Sequence, residues 1–181
     1  IKQRPSTSQH LKVSLENSWP LHPVVACLLG PISRRRFGQN QRSLFAFLNS
    51  AEARGFQDFL KSATEKDHYE PDHLWEYLRL NLEPSILASP DGHRWALAAE
   101  AVERCESLTS EELHLKLLKA IALIDLFKGS SGLTPSFQLL HECCPGKSKQ
   151  SVKDALKQLQ NWSLIVFRKF SDSYVIFAGS D

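Results

Sequence analysis

The sequence predicts a mainly helical fold: a helical bundle followed by a winged helix with a small β-hairpin wing. Three observations carry that expectation. Apolar residues recur at three- and four-residue spacing from Val24 to Leu159, the signature of helices that bury one face. No β-branched run bounded by turn residues occurs before Glu106, so a parallel-sheet domain has no strands to build on. After Trp162 the apolar period switches once, from helical to alternating, which marks strands.

Residues 1–20 are polar and show no sustained period, and they read as a tail or linker. Residues 21–107 read as one helical domain. Pro23 opens a helix with Val24, Val25, Leu28, Leu29 and Ile32 as its apolar members, and Gly30-Pro31 is expected to kink or end it. Asn40 is the candidate N-cap of a short helix carrying Leu44, Phe45, Phe47 and Leu48. Phe56, Phe59 and Leu60 continue the spacing after Gly55. Asp72 is the candidate cap of a helix holding Leu74, Trp75, Tyr77, Leu78 and Leu82. That helix is expected to stop before Glu83-Pro84, because the residue ahead of a proline is driven out of helical geometry. Trp95, Leu97, Ala98, Ala101 and Val102 define another helix after Pro90-Asp91-Gly92.

Residues 108–181 read as the winged helix. Thr109 and Glu112 have the T-x-x-E spacing of a capping box. The stripe Leu117, Leu118, Ile121, Ile124 and Phe127 then runs to Gly129, the expected stop. A short helix from Pro135 through Phe137, Leu139 and Leu140 reaches about Cys144, and Pro145-Gly146 turns the chain. Ser148 can cap a third helix with Val152, Ala155, Leu156 and Leu159 on one face. Leu164 to Phe170 and Tyr174 to Phe177 are β-branched and aromatic runs joined by Ser171-Asp172-Ser173, a hairpin. Three helices and then a hairpin is the order of a winged helix.

The chain of 181 residues is 42% hydrophobic and 23% charged, which excludes disorder as a reading of the whole. No apolar run approaches the about 18–20 residues of a bilayer-spanning helix. The net charge of +2 comes from 22 basic and 20 acidic residues, so any basic surface is local. Cys27, Cys105, Cys143 and Cys144 are too few and too irregular for a disulfide framework. A soluble protein of a reducing compartment, the cytoplasm, is expected. The chain begins at Ile1 and contains no methionine, so it reads as a fragment of a longer protein.

Two strings imitate nucleotide-binding motifs. Pro145-Gly146-Lys147-Ser148 ends like a Walker A loop, but His141 stands where the first glycine belongs, and the string follows a helical pattern instead of a strand. Ile121 to Asp125 imitates a Walker B strand but lies inside a helical pattern and upstream of the other string. Both read as structural. His141, Cys143 and Cys144 make a poor zinc site, because neighbouring positions on a helix point about 100° apart.

Two polar groupings are candidates for binding. Arg34, Arg35, Arg36 and Arg42 surround one glycine, with Gln39 and Asn40 as supporting polar groups. Guanidinium forks and a capped helix start together suit phosphate oxygens. Spacing alone favours a solvated, charged helix end there. In the third helix Lys149, Lys153 and Lys157 recur every fourth residue, with Gln150 as an amide that could read a base and Arg168 and Lys169 on the wing. That stripe suits phosphates and is poor in base readers.

The run from Leu21 to Leu48 (LHPVVACLLGPISRRRFGQNQRSLFAFL) and the closing YVIFAGSD from Tyr174 to Asp181 resemble segments of large bacterial P-loop ATPases of AAA+ or STAND type, associated with defence operons. The resemblance implies a nucleotide domain upstream, followed by a helical lid and a winged helix. It would make residues 21–107 lid-like, and one arginine among Arg34, Arg35, Arg36 and Arg42 a sensor of bound phosphate. The chain departs from a complete ATPase in lacking a phosphate loop and a strand-borne Walker B. No complete catalytic site and no cofactor are expected in it, ATP and Mg²⁺ belonging to the parent protein.

The leading expectation is therefore the regulatory lid and winged-helix portion of such an ATPase, coupling nucleotide state to engagement of a partner or nucleic acid. The alternative is a winged-helix DNA-binding module with a helical partner domain. An independent enzyme ranks last, since no nucleophile, base and orienter stand together in the sequence. The expected partners are the upstream domain of the same protein, weakly bound nucleic acid, and a second copy or an effector protein, with no membrane. For the lysine stripe, protein contact ranks ahead of nucleic acid.

Overall fold

A computed structural model describes residues 18–35 and 44–179. Its described elements are α1 (Pro23–Arg34), α2 (Leu44–Asn49), α3 (Phe56–Leu60), α4 (Pro71–Leu87), α5 (Gly92–Leu108), α6 (Glu112–Ser131), α7 (Phe137–Glu142), α8 (Lys149–Asn161), β1 (Ile165–Arg168) and β2 (Ser173–Ile176). The fold is mainly helical, a bundle that closes in one antiparallel hairpin. Most of residues 1–20 and the candidate cap Asn40 lie outside the described residues.

The core is built around α6. Leu117, Leu118, Ala120, Ile121, Ala122, Leu123, Ile124, Leu126 and Phe127 are all buried. A helix that buries residues on nearly every side over two to three turns has little solvent face there and must be enclosed. It packs against α1, α4 and α5 on the bundle side and α7, α8 and β2 on the other. The expected stripe was thus only part of the buried surface: Ala120, Ala122, Leu123 and Leu126 complete it. Trp75 of α4 and Trp95 of α5 stack at 4.3 Å and 19° in the same core, both fully buried.

Several helix ends differ from the sequence expectation. α4 passes through Pro84, where a stop is expected, and of the two outcomes expected at Gly30-Pro31, a kink or an end, the end does not occur in α1. A helical proline deprives the carbonyl four residues earlier of its donor. Those carbonyls belong to Cys27 and Leu80, both exposed residues, where solvent can replace the missing N–H. The cap of α4 is Glu70 and not Asp72. Its carboxylate accepts from the His73 backbone while its own N–H donates to His73 Nδ1 at 2.9 Å, a reciprocal capping box. Thr109 closes α5, donating its N–H to the Cys105 carbonyl at 3.0 Å. Its hydroxyl accepts from Glu111 N–H, so the expected T-x-x-E box does not form and Glu111 stands at the N-cap of α6. That helix runs past Gly129 to Ser131, and Gly132, with φ +69°, is the left-handed terminator.

His22 caps α1 and ties it to α7. Its Nδ1 accepts from Val24 N–H at 3.2 Å, which leaves Nε2–H to donate to the Glu142 carbonyl of α7 at 3.1 Å. Burial holds its pKa below the ordinary 6.5. A depressed folded pKa means that the unfolded chain takes up the proton first, so stability is full above about pH 6.5 and declines as the pH falls toward the folded value. His22→Asn keeps a capping oxygen but cannot titrate. Between pH 7.5 and 5.5 (values chosen to bracket about 6.5) the urea midpoint should fall more in the wild type than in this variant.

α4 and α5 meet at a close backbone approach. A Cβ added to Gly92 would lie 2.1 Å from the Leu87 carbonyl oxygen, whereas one added to Gly129 meets nothing within 4 Å. Gly92→Ala should therefore cost about 2–3 kcal/mol, because backbone must move. Gly129→Ala, inside α6, should be neutral or stabilise by up to about 1 kcal/mol. Denaturant unfolding of the two variants checks both values.

Candidate functional site

The C-terminal surface is assembled by local chemistry. Ser136 caps α7, its hydroxyl accepting from Leu139 N–H at 3.3 Å. Gly146, with φ +79°, turns the chain after α7, and the turn is tied down by a His141 ring nitrogen 2.9 Å from the Lys147 carbonyl. The string that imitates a Walker A loop is this turn. Its Ser148 is spent as the N-cap of α8, accepting from Ser151 N–H at 3.0 Å. α8 buries Val152, Ala155, Leu156 and Leu159 and exposes Lys149, Lys153 and Lys157, as the spacing requires.

The remaining polar groups of α8 are partly committed. Gln150 donates one N–H of its amide to Asp154 Oδ1 at 2.8 Å, which occupies one of the two donors a base would use and orients the group along the helix. The Lys153 ammonium lies 5.4 Å from the centroid of Phe137, a cation–π contact that tethers it while leaving it exposed.

In the hairpin, Ile165 pairs with Ile176, Phe167 with Tyr174 and Arg168 with Ser173. Tyr174 N–H also donates to the Pro135 carbonyl at 2.9 Å, so the segment before α7 lies along the other edge of β2. A 3₁₀ turn, Lys169–Ser171, joins the strands. Lys169 and Arg168 are exposed there. Arg168 also lines a cleft of about 230 Å³ between α5, α6 and β2, together with Arg94 and Lys128. Both of the latter pair with Asp125. That aspartate, the apparent Walker B carboxylate, is therefore a structural anion inside a helix.

The arginine grouping is divided. Arg36, Gln39, Asn40 and Arg42 lie outside the described residues. Arg34 is exposed at the end of α1. Arg35 is committed to the fold: it pairs with Asp91 at 3.2 Å, a carboxylate only 10% exposed, and its guanidinium stands 5.8 Å over the Phe127 ring. An arginine held by a buried carboxylate and a core ring is poorly placed to follow a nucleotide. Arg35→Ala should cost about 1–3 kcal/mol, because it strands the Asp91 charge. Arg34→Ala should stay within about 0.5 kcal/mol of the wild type. Urea unfolding of the pair checks the difference.

A larger cleft of about 450 Å³ opens between α3, α4 and α6. Glu70, Asp72 and His73 lie beside it with one potential ligand atom each, all within 4.8 Å of one another. Glu70 is ion-paired with Lys116, and the Nδ1 lone pair of His73 is used by the Glu70 N–H. A metal ion that took His73 Nδ1 would break the cap of α4, and one that took Glu70 Oε2 would compete with Lys116. Lys119 pairs with Glu76 at 2.7 Å on the same wall. The thiols of Cys143 and Cys144 are buried, which pushes the first well up and the second up to about 12. Protonated thiols in the core are neither nucleophiles nor ready metal ligands.

Sequence reasoning missed two groups here. One is the Glu70–His73 box, signalled by an acid three residues before a histidine around Pro71. The other is Phe170, read only as a strand residue, which is 87% exposed at the hairpin tip. Three helices followed by a hairpin that returns across the end of α6 have the winged-helix order. No protein-family model, curated protein or solved structure matches the chain.

Proposed function

We propose that this chain is a non-enzymatic interaction module that holds the phosphate backbone of nucleic acid with α8 and the wing. The observation that carries this reading is the solvent face of α8, where Lys149, Lys153 and Lys157 stand exposed opposite the buried Val152, Ala155, Leu156 and Leu159. Arg168 and Lys169 extend the positive charge onto the wing. Phosphate contacts fix position without reading sequence, and with Gln150 bonded to Asp154 the face holds few base readers. Binding is therefore weak, sequence-tolerant and sensitive to salt. The four unpaired thiols support a reducing, cytoplasmic setting, and among the described residues no helix is long and apolar enough to cross a membrane.

A second reading keeps the module within a larger protein. As the regulatory lid and winged-helix portion of a P-loop ATPase, it would meet an upstream nucleotide domain, and ATP and Mg²⁺ would be bound there. The exposed position of Arg34 supports this reading, and the commitment of Arg35 to Asp91 narrows the set of sensors it needs.

Fluorescence anisotropy with a labelled duplex of arbitrary sequence, titrated with salt, tests the first reading. With three to five cations engaged, log K against log salt should have a slope of about −3 to −4.5. Replacing Lys149, Lys153 and Lys157 together by alanine should reduce its size by about 2.7 and leave the fold intact. An absence of binding at low salt overturns the reading. Tight, salt-resistant binding to one sequence overturns its sequence tolerance.

A further inference from the structure

The tip of the wing carries a side chain that the phosphate-binding role does not use. Phe170 sits at the centre of the 3₁₀ turn and is 87% exposed. The turn that presents it is fixed. Asp172 is left-handed at φ 47° with its N–H on the Lys169 carbonyl, and the Ser171 and Ser173 hydroxyls are 2.7 Å apart. Below the tip, Phe167 is 38% exposed and packs on Tyr174 with ring centroids 4.9 Å apart.

A single exposed apolar residue needs no explanation in itself. What distinguishes this one is its company. The order Phe167-Arg168-Lys169-Phe170 sets two cations between two rings at the free end of the hairpin, and both cations are exposed. Unpaired nucleotides are held by that combination: the cations take phosphates and the ring takes a base face. In the interior of a duplex every base face is already stacked, so the ring finds a partner only at the two terminal pairs, which are few in a long blunt duplex, or where the strands open. A membrane fits less well, because Ser171, Asp172 and Ser173 follow Phe170 immediately and no second apolar side chain accompanies it into the turn.

We propose that Phe170 stacks on an unpaired base, and that the ligand of this surface is a duplex with a single-stranded extension. α8 lies on the phosphates of the paired part and the wing tip on the first unpaired nucleotide. This rests on the phosphate-binding reading above and adds a ligand class to it.

The test compares a blunt duplex, the same duplex with a single-stranded overhang, and phosphatidylglycerol vesicles. The proteins are the wild type, Phe170→Ala, Phe170→Leu, Phe170→Trp and the triple lysine variant. The wild type should bind the overhang on the order of tenfold more tightly than the blunt duplex. Phe170→Ala and Phe170→Leu should lose that preference and keep the blunt-duplex affinity, and Phe170→Trp should retain it, which separates stacking from simple apolar contact. The triple lysine variant should weaken both duplexes by the same factor. Equal wild-type affinity for the two duplexes, or a preference that survives Phe170→Ala, overturns the proposal and leaves the phosphate-binding reading standing. Failure to bind either duplex removes both. Vesicle binding that depends on Phe170, with no overhang preference, overturns the proposal in favour of a lipid surface.

Discussion

Everything else in the structure depends on covering α6. A helix with Leu117, Leu118, Ile121, Leu123, Ile124, Leu126 and Phe127 all buried cannot be stable alone in water. Each such side chain contributes about 1.5–3 kcal/mol only when it is enclosed. The bundle helices cover one side of it and the C-terminal unit the other. The stacked pair Trp75 and Trp95 follows from that geometry, because α4 and α5 must approach each other to share one rod, and the tight turn from Leu87 to Gly92 lets them do so.

Charge is kept at the margins of α6 and used there to fix its neighbours. Lys116 and Lys119 reach Glu70 and Glu76 of the α4 segment, and Asp125 receives Arg94 of α5 and Lys128 of its own helix. Partly buried ion pairs of this kind add little net stability, since desolvation offsets the attraction. Removing one partner is costly, so they penalise wrong registers of α4 and α5 against α6. Arg35 does the same for α1, reaching both Asp91 and the face of Phe127. Its chemistry suited a phosphate in the sequence and turned out to suit a buried carboxylate, because a guanidinium fork is equally complementary to both.

Elements set by local signals were legible in the sequence. The single period switch after Trp162 placed the hairpin, and Ser148 capped α8 as its position before an apolar face required. The exposed lysines of α8 followed from four-residue spacing alone. Signals that compete with a neighbouring element were misread. Thr109 has the pattern of an N-cap but is used to close α5, and Gly129 resembles a stop but only Gly132 adopts the left-handed conformation. Pro31 and Pro84 are tolerated because the deprived carbonyls fall on exposed residues, a matter of tertiary placement that local propensity does not encode. The exposure of Phe170 was likewise invisible, since an aromatic in a strand run is ordinarily half-buried.

The sharing of α6 bears on how the molecule can be dissected. A cut in the loop after Leu108 would release a C-terminal piece whose longest helix has lost its cover from α1, α4 and α5. The bared flank would form a continuous oily strip, and surfaces of that size drive self-association or misfolding. A remnant ending before α6 fares no better, because Trp75 and Trp95 would then border solvent. Deletion mapping of this chain would report aggregation where it sought function, and point substitutions on the intact chain are the informative route.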